Sequence, residues 1–148
     1  MSNVQRDDAQ VERPAPHRAD DDTPVVLIAD DEEPIAEALG DIIEEAGYHA
    51  ILARDGRRAL ELALGERPAL VITDYMMPYL NGAQLMLAVR EDAHSRGQSP
   101  PPVVLMSAAG RPYLAGTLAD AIIGKPFDIA EIEMILHQFI DTPQHSHG

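Results

Sequence analysis

The stretch "VVLIADDEEPIAEALGDIIEEAG", Val25 to Gly47, decides the fold. Val25 to Ala29 form an apolar run of strand length with no polar face, so such a strand needs cover on both sides. Asp30 and Asp31 end it. From Pro34 onward Ile35, Leu39, Ile42, Ile43 and Ala46 return at helical spacing, and Gly47 closes the helix. A buried strand, an acidic turn and an amphipathic helix make the first half of a crossover unit.

The rest of the chain repeats that unit. "YHAILA" (48–53) predicts a second strand, and "GRRALELAL" (56–64) a second helix with Leu60 and Leu64 inward. "ALVITD" (69–74) predicts a third strand, and residues 82–93 a third helix through Leu85, Val89 and Ala93. "VVLMS" (103–107) and "AIIG" (121–124) read as the fourth and fifth strands, and "DIAEIEMILHQFI" (128–140) as an amphipathic last helix. The interval after Ser107 carries Gly110, Pro112 and Gly116 with little helical periodicity, so a fourth helix there is expected to be short, irregular or mobile. Strand–helix alternation of this kind predicts a doubly wound α/β fold, a five-stranded parallel sheet with helices on both faces.

Composition narrows the function. The chain has 148 residues, enough for one domain with a real core, and a formal charge of -14. That charge argues against nucleic-acid binding, which needs a concentrated basic footprint. With no cysteine there are no disulfides and no thiolate metal sites. No apolar run approaches a membrane span, and the expected location is the cytoplasm. Residues 1–23 are polar and charged without periodicity and are expected to be a disordered tail, with 24–141 the structured domain and 142–148 a second loose tail.

In parallel sheets of this kind ligands bind at the carboxyl ends of the strands. Asp30 and Asp31 stand at the end of strand one, Asp74 at strand three, Ser107 at strand four and Lys125 at strand five. Three carboxylates and one ammonium leave a formal charge of about -2. A divalent cation would balance it, and an all-oxygen donor set without His or Cys suggests Mg²⁺. Blander readings exist for each residue alone. Asp30 and Asp31 could cap the first helix, Asp74 could be a strand-end turn residue, and Lys125 a snorkelling surface lysine.

Taken together, "IADDEEPI", "VITDYMMPYLNG", "VVLMSA" and "IIGKPF" resemble, in order and near-family spacing, a response-regulator receiver domain. The resemblance runs from about Val25 to Ile140, and the flavodoxin-like strand order 2-1-3-4-5 is taken from it. It implies that Asp74 is the phosphoacceptor, attacking a phosphoryl group carried on the histidine of a kinase or phosphotransfer protein. Asp30, Asp31, Asp74 and the backbone carbonyl of Met76 would hold Mg²⁺, while Lys125 and Ser107 would bind phosphoryl oxygens. Gly82 would permit the turn before the third helix, and the Lys125–Pro126 bond is a candidate cis peptide. In-line phosphoryl transfer depends on positioning and charge neutralisation, which this set supplies.

The sequence departs from the family pattern in places. Pro34 follows "DDEE", one place later than usual, and is read as a substitution that leaves the site intact. Ile122 stands where a Tyr or Phe is common, and a β-branched aliphatic cannot swing a ring between buried and exposed states. Tyr113 could take over that aromatic role. No output domain follows residue 140, so the expectation is a stand-alone receiver, signalling through a downstream protein partner or onward phosphotransfer. A receiver-shaped adaptor with phosphorylation-independent output is the alternative. An unrelated Mg²⁺-dependent phosphohydrolase fits less well, because Met76 stands where its acid/base Asp would be.

Overall fold

The computed structural model describes residues 22–109 and 116–141. Residues 1–21 of the tail expected over 1–23, the expected tail at 142–148, and the expectations for residues 110–115 including Tyr113 lie outside the described residues. The elements in chain order are β1 (Val25–Ala29), α1 (Glu33–Glu45), β2 (His49–Ala53), α2 (Gly56–Glu66), β3 (Leu70–Asp74), α3 (Gly82–Ser95), β4 (Val103–Ser107), β5 (Ala121–Gly124) and α4 (Ile129–Leu136). All strand pairings are parallel, in the order β2-β1-β3-β4-β5. That is the doubly wound 2-1-3-4-5 arrangement expected from the sequence.

Alternate strand residues face two separate cores. Val26, Ile28, Leu70, Ile72, Val104, Met106 and Ile123 pack on one face against α1 and α4. Leu27, Ala29, Val71, Val103 and Leu105 pack on the other against α2 and α3. Full burial of a Val, Leu or Ile is worth about 1.5–3 kcal/mol, so this two-sided register is strongly specified. Ile122 is half-buried against the second core, adjacent to Ile123 in the first.

Local chemistry sets the helix ends. Pro34 lies in the first turn of α1, where its missing N–H has no helical partner to lose. Neither Asp30 nor Asp31 caps that helix, whose N-cap is Glu32 with no side-chain cap. Asn81 and Gln84 form a capping box at α3, each side chain accepting from the other's backbone N–H. The last helix differs from the single α-helix expected over 128–140, because after Leu136 it continues as a π-helical turn, His137–Asp141. Ile140 lies on the buried side with Ile132 and Leu136. On α2, Leu60 packs half-buried against the second core as expected, while Ala59 and Ala63 are the fully buried residues, since small side chains let the helix lie close on the sheet.

Between β4 and β5, the described residues 108–109 and 116–120 form turns, bends and irregular chain without helix. Asp120 fastens the exit of this segment. Its N–H donates to the Val103 carbonyl at 2.9 Å, while its Oδ2 accepts from the Val103 N–H at 2.8 Å and Arg90 Nη2 at 3.1 Å.

Candidate functional site

Backbone bonds just beyond the strands align the chain ends that carry the site. Asp30 N–H donates to the Ala53 carbonyl, Tyr75 N–H to Met106 and Lys125 N–H to Ser107. These contacts extend the ladder past β1, β3 and β5, so Asp30, Asp74, Ser107 and Lys125 emerge on one edge of the sheet. The Gly82 N–H donates to the Tyr75 carbonyl at 2.7 Å, and a Cβ there would stand 2.5 Å from the Asp74 carbonyl oxygen. The Lys125–Pro126 peptide is cis.

Lys125 is the chain's single lysine, and its side chain is 10% exposed. Its Nζ lies 3.0 Å from Asp30 Oδ2, 3.2 Å from Asp74 Oδ2 and 3.2 Å from Glu32 Oε1. It is therefore neither a snorkelling lysine nor one that meets Asp74 alone. Asp30 is wholly buried; its Oδ1 accepts from the Glu32 N–H at 2.9 Å. Its Oδ2 touches the ammonium by charge but makes no hydrogen bond. A buried carboxylate oxygen without a hydrogen bond is costly unless a cation takes it.

Asp31 completes the acidic group and is exposed. One carboxylate oxygen from each of Asp30, Asp31 and Asp74 lies within 4.8 Å of the others. Burial, then the charge of Asp30, raises the Asp74 carboxyl above its ordinary value against the pull of Lys125, and Asp31 adds a smaller push. Burial alone would lower Lys125, but the close carboxylates of Asp30 and then of Asp74 hold its ammonium above the ordinary lysine range. Ser107 is buried, its Oγ accepting from the Ala109 N–H at 3.0 Å. Met76 follows Asp74 by two residues with its side chain exposed, so any part it plays at the centre falls to its backbone.

The structure thus gathers Asp30, Asp31, Asp74 and Lys125, with Ser107 at the neighbouring strand end. Sequence reasoning missed Glu32, because an exposed acid just ahead of a helix reads as a dipole partner. It also missed Thr73, whose buried hydroxyl donates to the Asp74 carbonyl at 3.0 Å.

This arrangement has close counterparts. The family described as "Response regulator receiver domain" matches residues 26–137, and the chain belongs to that family, a signalling domain of two-component systems and not a classical enzyme. The chain is 36% identical over 128 residues to response regulator Rre1 of Synechocystis, covering 82% of this chain and 53% of the relative. It is 34% identical over 110 residues to response regulator MprA of Mycolicibacterium vanbaalenii, covering 72% of this chain and 46% of the relative. The chain therefore spans about half the length of these curated relatives. Among solved structures, the receiver domain of the Francisella response regulator 1452 superposes with a TM-score of 0.68 at 30% identity, covering 79% of this chain and 96% of that one. Among the described residues, no helix is long and apolar enough to cross a membrane.

Proposed function

We propose that residues 24–141 form a receiver that takes a phosphoryl group onto Asp74 from the phosphohistidine of a kinase or phosphotransfer protein. The observation carrying this reading is the contact of Asp74 Oδ2 with the ammonium of Lys125 at 3.2 Å, beside the open, buried oxygen of Asp30. In the step, an Asp74 carboxylate oxygen forms a bond to phosphorus as the N–P bond of the donor breaks. The imidazole leaves with the electron pair. Lys125 and the Ser107 hydroxyl would hold phosphoryl oxygens on the product.

The three Asp carboxylates fit a hard divalent cation, because their donors are all oxygen and Asp30 offers a lone pair with no other hydrogen-bond partner. Asp30, Asp31, Asp74 and the Met76 carbonyl would hold Mg²⁺, which when bound supplies charge neutralisation to the transferring group. Output would pass to a downstream protein partner or onward by phosphotransfer, in the cytoplasm and without direct contact with nucleic acid. Ile122 favours a second reading, an adaptor whose output ignores phosphorylation, because no ring is present there to report on the site.

A radiolabelled phosphoryl donor, acetyl phosphate or a histidine kinase, with Mg²⁺ is expected to label the wild-type chain and leave Asp74→Ala unlabelled. Equal labelling of both defeats the proposal. Partner affinity that is the same with and without beryllofluoride would select the adaptor reading.

A further inference from the structure

We infer that Glu32 is a positioning residue that competes with the incoming phosphoryl group for the ammonium of Lys125; the inference rests on Asp74 being the phosphoacceptor. A lysine ammonium has three N–H donors. Here three carboxylate oxygens surround it within 3.2 Å: Asp30 Oδ2, Asp74 Oδ2 and Glu32 Oε1. The ammonium is thus already ringed by carboxylate oxygens, and it donates a hydrogen bond to Glu32. A phosphoryl group on Asp74 brings additional oxygens to the same place, so one existing contact has to yield.

Burial decides which one. Asp30 is wholly buried, and its Oδ2 has no hydrogen bond to fall back on. In the metal-free site, losing Lys125 would leave that charge uncompensated away from water, and with a cation bound the buried side chain still has no solvent to turn to. Glu32 is the opposite case: its side chain is 58% exposed and its carboxylate can return to solvent at little cost. The main chain of Glu32 is meanwhile tied to Asp30 Oδ1 at 2.9 Å, so the residue stays in place when its side chain lets go. Glu32 therefore holds the ammonium toward the site before transfer and releases it during transfer.

The neighbouring Glu33 provides the control. Its side chain is also exposed, but it faces Arg54 at 3.6 Å, so removing its charge leaves the Lys125 contacts alone. The full chain and its Glu32→Gln and Glu33→Gln variants would be titrated with beryllofluoride at saturating Mg²⁺. The reporter is the Nζ resonance of ¹⁵N-lysine-labelled protein, which arises from Lys125 alone. Glu32→Gln is expected to bind beryllofluoride about three- to fivefold more tightly than wild type, and Glu33→Gln about the same as wild type. Equal effects of the two substitutions, or weaker binding by Glu32→Gln, overturn the inference while leaving the phosphoacceptor reading intact. Mg²⁺ affinity measured without beryllofluoride should fall by a similar small factor in both variants. A loss confined to Glu32→Gln and larger than about tenfold would make Glu32 a metal ligand and also overturn the inference. Failure of the wild-type chain to bind beryllofluoride at all would remove the phosphoacceptor reading and the inference with it.

Discussion

Replacing Gly82 with alanine sets two familiar effects against each other. Alanine favours a helix over glycine by up to about 1 kcal/mol, so propensity alone predicts a more stable protein. A Cβ at Gly82, however, would stand 2.5 Å from the Asp74 carbonyl oxygen, 2.9 Å from Leu105 Cδ2 and 3.1 Å from Tyr75 Cα. Two of those neighbours are backbone, pinned by the Thr73 hydroxyl on the Asp74 carbonyl and by the Gly82 N–H on the Tyr75 carbonyl. They cannot rotate away as a flexible side chain would. Overpacking of this kind costs about 1–3 kcal/mol, so the clash should win by about 1 kcal/mol. For a domain of this size that lowers Tm by about 4 °C. Circular-dichroism melts in Mg²⁺-free buffer measure it, with Gly65→Ala as the opposite case. Gly65 lies inside α2 with nothing within 4 Å of its would-be Cβ, and alanine there should raise stability by about 0.5–1 kcal/mol. Because the displaced carbonyl belongs to Asp74, phosphoryl labelling of Gly82→Ala should also slow by about tenfold. A Gly82→Ala protein as stable as wild type would refute the close-approach argument.

Other perturbations address the charges. Lys125→Met should destabilise the metal-free protein by about 3 kcal/mol, read by urea unfolding, because it strands the buried Asp30 and Asp74. Added Mg²⁺ should recover more stability in that variant than in wild type. The Lys125 Nζ resonance should titrate above the ordinary lysine value in metal-free protein, and Asp30→Asn should bring it down. The sign of the linkage follows: the stability from this ammonium is complete at neutral pH and is lost as pH rises through the raised value. For Asp74 the shift is also upward, so between its ordinary and raised values the folded state keeps a proton that the unfolded chain has released. In Mg²⁺-free urea melts, wild-type stability relative to Asp74→Asn should decline as pH rises through that window. A flat difference would mean that the Asp74 carboxyl is not raised.

The frame of the site was legible because strands buried on both faces leave only their ends for polar residues. Asp30, Asp31, Asp74, Ser107 and Lys125 could each be placed by counting to a strand end. That Asp30 and Glu32 join Asp74 at Lys125 was not legible, since that depends on how far the loop after β1 folds back, and nothing in the spacing of "DDEEP" sets it. The inward face of α2 was legible only in part, since Leu60 does pack on the core. Leu60 and Leu64 have the greater hydrophobicity, but Ala59 and Ala63 allow the closer approach to the sheet. The π-helical turn at His137–Asp141 had no signal either, because Ile132, Leu136 and Ile140 read equally well as an unbroken helix.

The fastening of the segment between β4 and β5 carries one more consequence. At one end Ala109 donates to the Ser107 hydroxyl, and at the other Asp120 grips Val103. Both anchors belong to β4, a five-residue strand of roughly 17 Å. The described ends of the segment are thus fixed at the two ends of a single rod, like a handle on a case, and the rod sets the distance between them. Lengthening such a loop twofold adds only about 0.6 kcal/mol of closure entropy. A change of length between Ala109 and Asp120 is therefore expected to disturb the acidic site little.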